Sequence, residues 1–320
     1  MSARIDPKTL EDKAVPETTK RTYQSGVRHY RRWGGVLPAS IVSLRQYLAD
    51  HSQTLASSTL ENRLAALSRF HREGGWPDPT KDAAVQRVMA GIRNEQLHTP
   101  KQAEPLLWHE LQRVIRHIES KIEVYPASTR AETDTIRAIR DRALLLTGWH
   151  GALRSSDITR LNGNQVVVRE HGTDLTLFGK GDKLKKGESL FLKSQPELCS
   201  TKALVDWGRV APLRPGVSVF RGIHPASGQI MDRPLDPKTV TRIIQNRAGE
   251  AGLTGKYSSH SLRRGWGVSM AAVFSLGEFM RHGRWKSAEV AIRYQQNSAA
   301  YRDQQGLPMA PEALILKSAR

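Results

Sequence analysis

The 320-residue chain carries 49 Lys and Arg against 31 Asp and Glu, a formal charge of +18, far beyond what solubility asks for and suited to a polyanionic partner. A single cysteine, Cys199, excludes a disulfide framework and a thiolate zinc cluster and fits a reducing compartment. No apolar run reaches the roughly eighteen residues of a membrane span, the start from Met1 to Pro16 is polar rather than signal-like, and the histidines form no His-Glu-x-x-His pattern; a soluble cytoplasmic protein with no metal or cofactor is expected.

The length suits two domains. Residues 1–98 hold 15 basic and 10 acidic side chains and residues 99–320 hold 34 and 21, so both halves are basic. Such a spread fits a protein that meets phosphates with both halves, whereas a tethering arm would concentrate its charge at one end. A basic ribosomal or chromatin protein is the plainer alternative on charge alone.

In chain order, residues 1–18 read as a mobile polar leader. Tyr23, Val27 and Tyr30 fall on one helical face that ends near Trp33 at Gly34-Gly35. Ser58-Thr59-Leu60-Glu61 has the capping-box pattern, and Leu64, Leu67 and Phe70 continue inward to Gly74-Gly75. Residues 19–98 are therefore expected to form an all-helical domain whose arginines, Arg31 and Arg69 among them, face either phosphate or solvent. Pro100 and Pro105 bracket a linker placed at 99–106, and a second domain occupies 107–320. Helices are expected from Trp108 to Ile118 and from Ile136 to Trp149. A hairpin of Gln165–Arg169 with Asp174–Phe178 follows, then a Lys-rich loop and a third strand at Ser189–Leu192. Helices dominate from Pro237 onward, and the tail beyond Met309 ends in a short apolar helix expected to dock on a neighbouring protomer, or else on its own domain.

The chemistry-bearing residues concentrate late in the chain. His260 and Arg263 lie three apart at a helix start, so both can leave one face. Trp285 follows Gly283-Arg284, and Tyr294 lies nine residues beyond it on a helix expected over Ala288–Gln296. Flanked by Arg293 and Gln295, Tyr294 reads as a poor core residue, with Val290 and Ile292 the better candidates for burial. A phenol among cations is expected to lose its proton more readily, as a phosphorus-attacking nucleophile requires. Upstream, Arg154 and Asp157 are spaced to pair, either across a cleft or as an exposed ion pair. The Gly179–Gly187 loop, with Lys180, Lys183, Lys185 and Lys186, lacks the Gly-x-x-x-x-Gly-Lys-Ser/Thr pattern of a nucleotide site.

Taken together, Gly151-x-Leu153-Arg154-x-x-Asp157, the loop lysine, His260-x-x-Arg263, Trp285 and Tyr294 resemble, in order and spacing, the catalytic domain of the tyrosine recombinase (phage integrase) family in its Cre- and Xer-like form. The match spans residues 107–300. The resemblance implies a mainly α fold with a small antiparallel β-sheet, arranged as a two-domain clamp of a helical core-binding domain and a catalytic domain. It implies strand cleavage by Tyr294 through a 3′-phosphotyrosine, phosphate clamping by Arg154 and Arg263, proton handling by His260, and an indole N–H from Trp285. Many members have a Leu-Gly-His segment where Trp285 stands, and His282 is the competing position. Asp157 supports Arg154 with a carboxylate one methylene shorter than the common Glu. Lys180 is the implied general acid, with Lys183 as the alternative. DNA contacts are expected from Lys183, Lys185, Lys186, Arg264, Arg31 and Arg69. The implied partners are double-stranded DNA bearing a recombination site, further copies of the chain (a dimer on the site, a tetramer in the synapse) and an accessory DNA-binding protein, at the nucleoid. A type IB topoisomerase and a catalytically silent DNA-binding regulator remain as alternatives.

Overall fold

A computed structural model describes residues 6, 15–96, 103–123, 129–179 and 186–305, without the side chains of 18, 123, 129–131 and 300–305. Most of the expected leader, the linker residues 99–102, Lys180, Lys183 and Lys185, and the tail beyond residue 305 lie outside the described residues. The fold is mainly α with small antiparallel sheets, and the chain divides into two compact units, residues 1–101 and 102–320.

The first unit consists of α1 (Glu17–Trp33), α2 (Ile41–His51), α3 (Ser57–Glu73) and α4 (Ala83–Glu95). Tyr30, Leu44, Tyr47, Leu48, Leu60, Leu67, Val85 and Met89 bury themselves between these helices. Two polar groups inside this core are satisfied: the Tyr30 hydroxyl meets Ser43 Oγ at 2.6 Å, and His71 Nε2 accepts the Ala39 N–H at 2.8 Å. The capping box expected at Ser58 does not form. α3 starts after Ala56, which gives no side-chain cap, and its Ser57 N–H is taken instead by Gln96 Oε1 at 2.5 Å, from just beyond the end of α4. The same Gln96 amide donates to the Ser52 and Leu55 carbonyls at 2.5 and 2.9 Å, so one long-range side chain satisfies the backbone groups of the α2–α3 connection.

In the second unit, α5 (Trp108–Glu123) and α6 (Thr129–His150) precede the short α7 (Ser155–Arg160), with Leu111, Ile115, Leu144, Leu145 and Trp149 fully buried. β1 (Val166–Arg169), β2 (Gly172–Leu177) and β3 (Glu188–Lys193) form an antiparallel sheet in sequence order, with Leu175 opposite both Val166 and Leu190. α8 (Ser200–Val210) is followed by a hairpin of β4 (Arg221–Ile223) and β5 (Ile230–Pro234), and then by α9 (Pro237–Glu250), α10 (His260–Met270), α11 (Leu276–Gly283) and α12 (Ala288–Gln305). A methyl built on Gly265 of α10 would sit 1.7 Å from the Leu106 carbonyl oxygen, so α10 and the segment before α5 touch backbone to backbone. That contact is pinned by the Leu106 N–H on the Ser261 carbonyl and by the Trp149 indole N–H on the Leu106 carbonyl, both at 2.9 Å. α10, which carries His260 and Arg263, is thereby fixed against the centre of the core. Among the described residues no helix is long and apolar enough to cross a membrane.

Candidate active site

Arg154 stands at the N-cap of α7, where the turn after α6 passes through Ala152 at φ 44°. Its backbone N–H donates to Asp157 Oδ2 at 3.0 Å, which ties the turn to the first turn of α7. The Arg154 guanidinium lies 3.9 Å from the same carboxylate oxygen and keeps 45% of its side chain exposed. Asp157 is held closer by another cation: Arg284 Nη2 lies at 3.4 Å and only 9% of the Arg284 side chain is exposed. The pairing expected between Arg154 and Asp157 is thus shared, with the buried Arg284 nearer to the carboxylate.

Arg263, one turn into α10, is buried; its Nη1 donates to the Ala152 carbonyl at 2.7 Å, and its guanidinium carbon lies 4.6 Å from the centre of the Trp285 ring. Burial, reinforced by the Arg154 and Arg284 charges, pulls its basicity down to about 9, with Tyr294 and Asp157 acting in the opposite sense. His260 is exposed at the start of α10. Partial burial followed by the charges of Arg263, Arg154 and Arg264 lowers its pKa, which keeps the imidazole neutral and able to accept a proton.

Tyr294 packs on the core from α12, with its ring 4.9 Å from Trp285 and 6.1 Å from Phe279. Burial raises its pKa, and the fields of Arg263, Arg264 and Arg154 pull the other way without prevailing. The expectation of an easily ionised phenol is therefore corrected: in the DNA-free protein the desolvation of a partly buried ring outweighs the arginines, and the proton stays on. The expected burial of Val290 and Ile292 is corrected as well. These two are 38% and 42% exposed, while Ala291 is fully buried and Ser298 nearly so, so the inward face of α12 carries Ala291, Tyr294 and Ser298. That face meets α10 at Gly267, where an added methyl would lie 2.8 Å from Tyr294 Cδ1. The helix also continues to Gln305, well past the expected end at Gln296.

Trp285 is buried at the end of a stack of rings: Phe279 at 4.6 Å, Trp266 at 5.9 Å and Tyr294 at 4.9 Å. The competing His282 points elsewhere. Its Nε2–H donates to the His150 carbonyl at 2.7 Å and its ring stacks on Trp266 at 4.4 Å, with burial drawing its pKa down to about 4. Between them, Arg284 adopts a left-handed backbone (φ 53°, ψ 44°), a conformation that costs a non-glycine residue about 1–2 kcal/mol. Its guanidinium donates to the carbonyls of Gly151, Ala152 and His282 and to Asp157, at 3.1–3.4 Å. Arg284 has no motif in the sequence to mark it out, because its acceptors are backbone carbonyls and one carboxylate.

The arginines expected to contact DNA fall into two places. Arg264 is half-buried beside the site and contributes to the field on Tyr294 and His260. Arg31 and Arg69 line one groove of about 460 Å³ between α1 and α3, with their guanidiniums 5.7 Å from the Phe70 ring and 5.5 Å from the Tyr23 ring. Arg69 is paired with Glu73 at 2.5 Å, and Arg31 is exposed. Lys186 is described and exposed.

No family model matches the chain. It is 27% identical over 306 residues to an integrase/recombinase XerD homolog of Selenomonas ruminantium, covering 91% of this chain and 85% of that protein. It is 25% identical over 281 residues to recombinase Cre of Escherichia phage P1, covering 83% and 78%. The fold is similar to that of the XerH site-specific recombinase bound to a palindromic difH substrate, with a TM-score of 0.59, 14% identity, and coverage of 89% of this chain and 78% of that one. It is likewise similar to lambda integrase residues 75–356 bound to DNA, with a TM-score of 0.58, 14% identity and coverage of 95% and 96%. Likeness in sequence to two recombinases, along most of the chain, agrees with likeness in fold to XerH and lambda integrase.

Proposed function

We propose that the chain is a site-specific recombinase that cuts and rejoins DNA strands through a 3′-phosphotyrosine on Tyr294. The observation that carries the reading is the convergence of one phenol with three guanidiniums: Tyr294 lies in the field of Arg263, Arg264 and Arg154, the same three charges that act on the imidazole of His260. In the cleavage step the Tyr294 oxygen forms a bond to phosphorus as the bond to the 5′-oxygen breaks. Arg154 and Arg263 receive the non-bridging oxygens, where negative charge accumulates, and a donor so placed contributes about 2–4 kcal/mol to the barrier. His260 accepts the phenolic proton as the oxygen bonds to phosphorus, so that the charge passes to the non-bridging oxygens at the arginines and no free phenolate is left buried. Trp285 packs Tyr294 and Arg263 into register and offers its indole N–H. A lysine of the 179–187 loop, Lys180 or Lys183, protonates the departing 5′-oxygen. Attack by a 5′-hydroxyl of a second duplex reverses the step and exchanges strands.

The resting proton on Tyr294 suits this scheme, since a permanently ionised nucleophile would nick DNA before a partner duplex is in place. The lambda integrase relatives include a dimer bound to a COC′ core site and a tetramer bound to a Holliday junction, and by analogy this chain acts as a dimer on its site and a tetramer in the synapse. Arg31, Lys186 and Arg264, together with Lys183 and Lys185, supply contacts to the DNA backbone.

The test uses a library of random-sequence duplexes, each carrying a nick so that cleavage traps the enzyme. Recovery of protein–DNA adducts that survive detergent should enrich one sequence, with the protein on the 3′ side of the break. Tyr294→Phe should recover none. Adducts formed by that variant would refute the nucleophile, and adducts formed equally on every sequence, with relaxation of an unrelated supercoiled plasmid, would indicate a topoisomerase instead.

A further inference from the structure

We propose that Arg284 is a positioning residue of strand cleavage: it holds the Asp157 carboxylate so that the Arg154 guanidinium stays available to the scissile phosphate. The inference rests on the function proposed above and adds a residue to it. Three observations support it. Asp157 Oδ2 is 3.4 Å from Arg284 but 3.9 Å from Arg154, so one carboxylate oxygen lies between a buried cation and an exposed one. Arg284 also donates to the Ala152 carbonyl at 3.2 Å, the same oxygen that Arg263 takes at 2.7 Å, and to the Gly151 carbonyl at 3.1 Å. Its planar fork therefore joins the turn presenting Arg154, the anchor of Arg263, and the turn leading into Trp285. Finally, the side chain sits on a left-handed backbone that glycine would adopt freely, so the local fold does not require an arginine at this position.

Without Arg284, the nearest cation to Asp157 is Arg154. The carboxylate would close on that guanidinium and compete with the phosphate for its donors, because a charge-assisted pair at hydrogen-bond distance satisfies the same N–H groups. A lysine cannot replace the fork, since one ammonium cannot span two carbonyls and a carboxylate in a plane.

The experiment compares single-turnover adduct formation by Arg284→Gly and by the wild-type chain on the duplex enriched from the nicked library, with DNA affinity and melting temperature measured alongside. Cleavage should slow by about tenfold to a hundredfold, while affinity changes little. Adding Asp157→Ala to Arg284→Gly should restore cleavage several-fold over Arg284→Gly alone, because no carboxylate remains to capture Arg154. A merely structural role predicts the opposite, a double variant worse than either single one. Arg284→Gln, which keeps an amide donor without the charge, answers the same question if the glycine variant does not fold. Wild-type cleavage by both Arg284 variants, or an additive loss in the double variant, overturns the inference while leaving the recombinase reading intact. Failure of the wild-type chain to form any adduct overturns both.

Discussion

Replacing Gly267 by alanine would place a methyl 2.8 Å from Tyr294 Cδ1, 2.9 Å from Cε1 and 3.3 Å from Cγ. Ordinary carbon–carbon contact begins at about 3.5 Å, so the ring must retreat by about 0.7 Å. The ring also packs against Trp285, 4.9 Å away, and Phe279, 6.1 Å away, so the retreat is taken up as a rotation of the ring or a shift of α12, either of which displaces the phenolic oxygen. Near-attack geometry is sensitive on this scale: a misplacement of about 1 Å costs up to about a hundredfold in rate, or about 2.7 kcal/mol. The helix itself favours the change, because glycine in a helix interior is about 1 kcal/mol worse than alanine. Gly267→Ala is therefore expected to form the covalent adduct ten- to a hundredfold more slowly at a melting temperature within a few degrees of wild type. Single-turnover adduct formation and thermal unfolding measure the two quantities separately. A wild-type rate would refute the argument that α10 sets the position of the nucleophile. A collapse in melting temperature would refute the argument that the damage is local.

The remaining expectations concern buried cations. His150 and His282 each have a pKa drawn from 6.5 to about 4, chiefly by burial; a depressed folded value means their stabilising neutrality is present above about pH 6.5 and is lost as pH falls toward 4. Each can withdraw about 3 kcal/mol at full protonation, so urea midpoints should fall steeply between pH 6.5 and 4, and more gently in His282→Phe, which keeps the stack on Trp266; a pH-independent midpoint in the wild-type chain would contradict this. Arg263→Met should abolish adduct formation yet leave the DNA-free protein as stable as wild type or up to about 2 kcal/mol more stable, since it removes a buried cation repelled by two others; a loss above about 2 kcal/mol would show that its bond to Ala152 and its contact with Trp285 outweigh that repulsion.

Most of the helices and the three-stranded sheet were legible because their signals are local: Tyr30 on its helical face, Leu175 and Leu177 alternating along β2. Where the reading failed, the deciding contact lay far away in sequence. The start of α3 is capped by Gln96, 39 residues from Ser57, and no window around Ser58 contains that information. β4 and β5 are short and do not alternate; they are held by pairing and by Arg221 on Asp232 at 3.1 Å. On α12 hydrophobicity itself misled, because the close approach of α10 admits only small residues and a flat ring, so Ala291 goes inward while Ile292 faces solvent. Arg154, His260, Arg263, Trp285 and Tyr294 stand out through the resemblance to the tyrosine recombinases, whereas Arg284 does not, since a guanidinium whose acceptors are three carbonyls and one carboxylate has no sequence pattern to betray it.

Burial and charge act together on the arginines of this site. Burial, with the charges of Arg154 and Arg284 added to it, pulls Arg263 down to about 9, and Asp157 offsets only part of the excess. Held in water, the three would bind a phosphate weakly and be screened by salt. Arg263, held by a carbonyl and an indole face, and Arg284, held by three carbonyls, have little freedom to relax when an anion arrives, so an anion relieves their repulsion in proportion to its charge. In the proposed strand transfer, a phosphodiester between tyrosine and 5′-oxygen concentrates more negative charge on its non-bridging oxygens than the resting diester does, and so relieves more of that repulsion. On the mechanism proposed for Tyr294, the instability of the free site is what gives preferential binding of the transition state.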